Sequence, residues 1–435
     1  MRKFIKIIGS LLVVLVVLVI ALAIAVPLLF DINDQKGRIA EAVEDATGRA
    51  LTIDGDLELT VFPWLGVKTG PMSLTQASGF DPGIAFAAFQ AADVRVKLVP
   101  LILRREVQVG RITLQGLNVH LERNADGRDN WSDLLDDAPA TDATQRPQSD
   151  RDGIKLADIE VEGVALSDAR IAFRDAQAGA SYTVENLNLR TGALRVGAPV
   201  EVSLDARVSS GVPQWRGTVA FDGRVNFDQV AKQADLMIER ATAELEGGAL
   251  PVATLRVSLS GQARGNLDSQ VWQVSGLGLD MVARGGRIPD RDFSARMSGT
   301  IAADLSAQTA TLSDFRFEGF GVRATLSAQG SSVVDAPSFN GRVSVDAFSP
   351  RQVLADLGQT LPAAKDPTSL THLQFASQFV ATKSSVALSG MEARLDASQL
   401  TGRLAVSDFA TQALRFDLAL DQIDLDRYQI GRAHV

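Results

Sequence analysis

Between Val107 and Leu121 the chain reads Val-Gln-Val-Gly-Arg-Ile-Thr-Leu-Gln-Gly-Leu-Asn-Val-His-Leu. Val107, Val109, Ile112, Leu114, Leu117, Val119 and Leu121 fall on one face of extended chain if Gly110 and Gly116 each let the count slip by one residue. That is the period-two signature of a half-buried strand. Similar runs recur at Ile159 to Leu166, Ala169 to Phe173, Leu187 to Val196, Val200 to Val208, Val219 to Phe227, Phe315 to Leu326, Val343 to Phe348, Val386 to Leu395 and Leu400 to Phe409. Ile159, Val161, Leu187, Leu189, Val202 and Leu204 are the apolar members that extend the first stripe. Outside one polar interruption, roughly 350 residues at about 13 per strand and turn predict about 25 strands. No strict sequence period emerges, so a β meander is expected and not a consensus solenoid. A sheet with one apolar face must cover it, and the chain offers few helices to do so. Alternation alone equally permits two stacked sheets around a dry core or one curled sheet with an apolar floor.

Composition narrows the chemistry. The 435 residues include no cysteine and three histidines, which excludes disulfide scaffolds and thiolate metal sites. With 43 basic against 52 acidic residues and a net charge of -9, nucleic acid is not an expected partner. A hydrophobic content of 46% is too high for wholesale disorder. No phosphate-binding loop, zinc-protease motif or nucleophile elbow occurs, and Gly276-Leu277-Gly278 lacks the third glycine of a dinucleotide loop. His120 lies in a strand and His372 beside a loop, neither with a companion at metal-ligand spacing. Asp133, Asp136 and Asp137, like Asp424 and Asp426, read as solvated carboxylates. Asn130-Trp131-Ser132 fits the glycosylation triplet but is common by chance. The expectation is a protein that is not an enzyme, with no cofactor, no metal and no nucleotide.

The N-terminus sets the compartment. Arg2, Lys3 and Lys6 precede an aliphatic run from Ile7 to Phe30, long enough to span a bilayer. The basic flank places the N-terminus in the cytoplasm, so a single-pass anchor with the body outside the cytoplasm is expected, in a bacterium an inner-membrane anchor with a periplasmic body. The rival reading is a cleaved signal peptide, with Ala21, Ala23 and Ala25 at the cleavage site. A short amphipathic helix follows, with caps at Asp31, Asn33 and Asp34, apolar Ile32, Ile39, Val43 and Ala46, and a stop at Gly48. Leu51, Ile53, Leu57, Leu59 and Val61 then alternate around a turn at Asp54 to Asp56.

These residues also carry a resemblance. The apolar run, the helix closing on Thr47-Gly48-Arg49, the Ile53-Asp54-Gly55-Asp56-Leu57 turn and Phe62-Pro63-Trp64-Leu65-Gly66 resemble the start of an AsmA family protein. Downstream, Ile112 to Leu121 and Gly127 to Leu134 with Asn130 and Trp131 continue the likeness. So do Phe348-Ser349-Pro350-Arg351 with Leu354, Leu357-Gly358 and Leu361-Pro362, and Asp424-Leu425-Asp426-Arg427-Tyr428. The resemblance implies a mainly β fold, a long curled antiparallel β-sheet forming a groove after an N-terminal transmembrane helix, as in chorein-type bridge-like lipid transfer proteins. It implies inner-membrane phospholipids as cargo, with envelope or outer-membrane assembly proteins as further partners. The alternative it leaves open is a non-enzymatic scaffold for outer-membrane protein or lipopolysaccharide assembly.

The expected organisation is an anchor at 1–30, a helix and β region at 31–123, a flexible acidic loop at 124–153 and an elongated β-sheet region at 154–429. A short helix over Arg351 to Leu357, capped by Ser349 and closed by Gly358, is expected inside the last of these. Residues 430–435 coincide with one translated frame of a common sequencing-adapter oligonucleotide, and a non-native tail on a truncated chain is expected there.

Overall fold

The computed structural model describes residues 31–104, 106–136, 159–195, 197–228, 230–286, 288–289, 291–359 and 366–428. The expected anchor and the expected non-native tail lie outside the described residues. The fold is mainly β, with twenty-three strands and six short helices among the described residues. It divides into two compact units, Met1–Arg216 and Gly217–Val435.

The first unit opens with a 3-10 turn, Ile32–Gln35, in which the Asp31 carboxylate accepts from the Asn33 N–H at 2.8 Å. The helix Lys36–Thr47 follows and stops at Gly48, whose φ of 67° only glycine adopts without strain. Asn33 fixes this entry to the sheet by exchanging hydrogen bonds with the Leu57 backbone. The strands are β1 Leu51–Ile53, β2 Leu57–Thr60, β3 Trp64–Thr69, β4 Met72–Leu74, β5 Ala87–Phe89 and β6 Ala91–Lys97. Trp64 begins β3, after the Phe62-Pro63 turn. After the helix Leu98–Arg104 come β7 Val107–Gln115, β8 Asn118–Arg123, β9 Ile159–Asp175, β10 Ala180–Thr191 and β11 Val200–Val212.

Two features depart from a plain meander. β9 runs parallel to both β7 and β8, which abut end to end along it. A parallel pair needs a crossover connection, and the polar stretch after residue 123 supplies it. Second, Ile159 to Leu166 and Ala169 to Phe173 form one strand, because Asp168 at φ 53° absorbs an extra residue as a bulge. Gly110 is a bulge site as expected, since four residue steps on β7 (109 to 113) oppose three on β6 (93 to 96). At Gly116 (φ 65°) the chain steps from β7 to β8.

The second unit is a regular antiparallel meander. Its strands are β12 Trp215–Asp228, β13 Gln233–Glu246, β14 Thr254–Asn266, β15 Val271–Arg284, β16 Phe293–Asp304 and β17 Thr309–Gly319. They continue with β18 Val322–Ser331, β19 Ser338–Phe348, β20 Leu373–Thr382, β21 Val386–Leu395, β22 Ser398–Val406 and β23 Leu414–Leu420. From β13 to β23 each strand pairs with the next in sequence. The run from Phe315 to Leu326 is two strands, with Phe320 (φ 54°) and Gly321 (φ 74°) forming the two-residue turn. The expected short helix is present at Pro350–Asp356, where the Ser349 hydroxyl accepts from the Gln352 N–H.

Candidate functional site

Residues directly opposite on paired strands project to the same face of a sheet, so the register identifies the surfaces. In the second unit one transverse row reads Ala241, Leu259, Leu279, Met297, Phe317, Ala324, Val345, Phe375, Ala393, Leu400 and Leu420 across eleven strands. A second reads Leu236, Ala263, Val274, Ile301, Leu312, Ala328, Gly341, Phe379, Leu388, Leu404 and Phe416 over the same pairings. A third, from Ala234 through Trp272 and Phe339 to Leu414, holds only apolar residues and glycine. No polar side chain interrupts any of the three.

The opposite face is charged and internally neutralised. Asp280, Arg296, Glu318 and Arg323 alternate in sign along one row. Arg296 and Asp280 are 2.5 Å apart, and Arg323 and Glu318 are 3.0 Å apart. The hydrogen bond and charge of Asp280 raise the Arg296 pKa. Such exposed pairs add little to stability, since solvent screens them. Their consequence is that this face stays wet while the other stays apolar.

Between the first two apolar rows, β13, β15, β17 and β21 each carry one extra residue. Gly276, Asp314 and Gly390, all near φ 55–59°, sit at three of these bulges. A bulge bends its strand and sharpens its twist without changing which face the flanking residues occupy. Bulges aligned at one level therefore bend successive strands together. Along the rows, several glycines lie beneath aromatic rings: a Cβ on Gly265 would come within 2.1 Å of the Trp272 ring, and one on Gly330 within 2.6 Å of Phe339.

Few of these apolar side chains are sealed from solvent. Among the described residues the buried hydrophobic set is Leu57, Phe86, Ala169, Ala206, Phe293, Ala295, Ala328 and Met391, half of it alanine. The residues of the three rows are mostly half-buried, and those on β23 are exposed. A second sheet stacked on the rows would bury them, so within this unit the stacked-sheet alternative is not what the chain builds.

The stripe read from the sequence maps onto a smaller surface of the same kind in the first unit. Leu114, Leu166, Leu189 and Leu204 are consecutive neighbours across β7, β9, β10 and β11. Val119, Ile171, Val184 and Val208 make the next row. Val109 opposes Val161, Leu121 opposes Phe173, Ile112 opposes Val164 and Leu187 opposes Ala169. Val107 pairs in register with Ile159, and Val202 lies one alternation beyond Leu204. Leu117 falls in the step between β7 and β8, where its carbonyl accepts from the Arg170 N–H. The larger rows of the second unit were missed as a site, although the same alternation marks them.

Several of the motif residues assemble into two polar clasps. Arg49, fully buried, donates from Nη2 to the Asn130 carbonyl at 2.8 Å and to both Asp133 carboxylate oxygens at 2.6 and 2.8 Å. Its guanidinium also lies over the Phe86 ring, 4.3 Å from the centroid. Asn130, also fully buried, donates to Gln76 and to the His120 carbonyl and accepts from the Glu122 N–H. The segment up to Asp136 is thus built into the first unit, and any loose excursion begins beyond the described residues. Burial also removes the Asn130 side chain from any glycosylating enzyme.

In the second unit, Asp396 accepts from the backbone N–H groups of Leu370, Thr371 and His372 and from the Tyr428 hydroxyl. Partial burial pushes its carboxyl up, but these donors outweigh burial and the pKa is lowered. Asp366 accepts from the hydroxyl and N–H of Thr368 and from Arg427, which pull its pKa down to about 2. Partial burial and the Asp396 carboxylate raise that of Tyr428. The helix Leu425–Tyr428 is held to the β20–β21 region by these contacts.

Comparison with known proteins accords with this architecture. The AsmA family model matches residues 1–434. The chain belongs to the AsmA family. It is 28% identical over 233 residues to Protein AsmA of Escherichia coli (strain K12), an alignment covering 53% of this chain and 32% of that protein. The chain thus corresponds to about a third of the length of that curated relative. No solved structure matches.

Proposed function

We propose that this AsmA family protein shields phospholipid acyl chains on its apolar sheet face during transfer from the inner membrane toward the outer membrane, and so supports envelope assembly. The observation that carries this reading is the set of three uninterrupted apolar rows across eleven strands, left half-buried instead of packed into a core. Exposing an acyl chain to water costs about 0.8 kcal/mol per methylene, so a dozen carbons face a barrier of about 10 kcal/mol in an aqueous gap. A continuous apolar floor removes most of that barrier and leaves a charged headgroup in water. The task requires alternating Val, Leu, Ile and Phe, not a catalytic residue, and selectivity among lipids should be low.

The reading is tested by purifying the full chain with minimal detergent and measuring bound lipid by native mass spectrometry and extraction. Several phospholipids per chain are expected. A well-folded protein free of lipid would reject transfer and favour a scaffold acting on outer-membrane protein or lipopolysaccharide assembly through contacts alone.

A further inference from the structure

The helix Leu98–Arg104 connects β6 to β7 at one end of the first unit. Its sequence is Leu-Val-Pro-Leu-Ile-Leu-Arg, and three of its apolar side chains are exposed while Leu98, Pro100 and Leu101 are half-buried. Val99 is 50% exposed, Ile102 67% and Leu103 76%. Phe62 on the β2–β3 turn and Leu65 at the start of β3 are exposed, and the Pro63 carbonyl of that turn accepts from the Leu98 N–H. Five apolar side chains, all exposed by more than a third, therefore lie in two adjoining segments. This is more than scattered surface leucines, and it marks a contact surface.

Two observations identify what covers it. The apolar run Ile7–Phe30 ends immediately before Asp31, and the 3-10 turn that Asp31 caps is hydrogen-bonded to β2 through Asn33 and Leu57. β2 spans Leu57–Thr60, so this end of the unit is a strand length, about 13 Å, from the point where the chain leaves that run. Three residues of interface type also adjoin the patch, the two basic ones paired with Glu162 and Glu106. Trp64 lies under Lys97 at 5.1 Å, and Arg104, largely exposed, ends the helix. Tryptophan with lysine and arginine bordering aliphatic side chains is the composition of a membrane–water boundary.

We propose that the helix Leu98–Arg104, with Phe62 and Leu65, seats in the surface of the phospholipid bilayer and holds this end of the first unit against the membrane. The inference stands apart from the acyl-chain reading, since a scaffold could be seated in the same way. It also gives the unit a direction. β7 and β9 begin beside this helix at Val107 and Ile159, and β9 ends at Asp175, about 50 Å along the strand. The turn around Ala178 is then the end of the strand remote from the bilayer.

The absence of cysteine makes the test direct. Ile102→Cys and Ala178→Cys variants of the full chain are spin-labelled in phospholipid nanodiscs, and collisions with oxygen and with a water-soluble nickel chelate are compared. At position 102 oxygen collisions should exceed nickel collisions several-fold, and at 178 the order should reverse. The inference is overturned if 102 behaves like 178, or if 102 is shielded from both reagents, as a protein partner would shield it. Hydrogen exchange on the unlabelled chain in the same nanodiscs gives a second reading. Amides of residues 101–104 should exchange several-fold more slowly than in a chain carrying Ile102→Asp and Leu103→Asp, with β7 to β11 unchanged. Equal exchange in both chains with an intact sheet would likewise overturn it.

Discussion

The two units solve the same problem of a one-faced sheet by different means. In the first, short strands, a parallel crossover and abutting strands β7 and β8 are fastened by a buried polar knot around Arg49 and Asn130. In the second, strands pair strictly in order from β13 to β23, with charged side chains confined to the face opposite the apolar rows and to the C-terminal clasp. The difference shows where specific chemistry is needed to define this fold. An irregular topology has competing arrangements and requires unique partners, whereas an ordered meander is specified by register alone.

The sharpest way to break the contrast is Asn130→Ala. Three hydrogen bonds inside a buried site are lost and their partners left unpaired, which should cost about 3 kcal/mol. Hydrogen exchange should show β7 to β9 opening while β13 to β23 keep their protection. Loss of protection throughout would mean that the units do not differ in the way described. A smaller effect is expected from Gly265→Ala, whose new methyl meets the Trp272 ring and forces it off the floor at about 2 kcal/mol. The Trp272 emission should shift, while the first unit melts unchanged.

Leu279→Asp sharpens the comparison further. On a half-buried floor the carboxylate keeps access to water, so chemical denaturation should register about 1–2 kcal/mol with lipid binding lost. A loss beyond about 4 kcal/mol would place Leu279 in a dry core and contradict the account.

The smallest effect is that of pH on the C-terminal clasp. Asp366 has a folded pKa depressed from 3.8 to about 2, so its contribution is complete above the ordinary value and is lost as pH falls toward 2. The raised pKa of Tyr428 gives the opposite sign, with a contribution complete below its ordinary value of 10 and lost above. Exchange protection of the Arg427 amide should therefore be flat between about pH 4 and 10 and fall on both sides. Protection that rises on acidification would refute the clasp.

Much of this was legible in the sequence, and the failures have physical causes. Alternation announced the strands, and glycine announced the slip at Gly110, because a bulge there exploits a residue with no Cβ, whereas Gly116 is the step between β7 and β8 and not a bulge. The bulge at Asp168 was hidden because Asp, although it tolerates positive φ, reads there as an ordinary turn residue between two runs, and the turn at Phe320 because Phe rarely adopts positive φ and reads as part of an apolar run. The parallel pairing of β9 was also hidden, because period two is the same in either direction. The helix at Pro350–Asp356 was plain from Ser349, Pro350 and Gly358. The apolar stripe at residues 107–121 was found, but its larger counterpart on β13 to β23 becomes visible only when register aligns side chains from strands far apart in sequence.

On the proposed function, one face of the second unit meets lipid and the other meets water. Phe317 and Arg316 are neighbours on β17 and project to opposite faces. A photo-crosslinking amino acid placed at either position in cells, followed by mass analysis of the purified chain, tests this directly. The account predicts phospholipid adducts at 317 and none at 316. Absence of lipid at both positions, or equal labelling of the two, would contradict it.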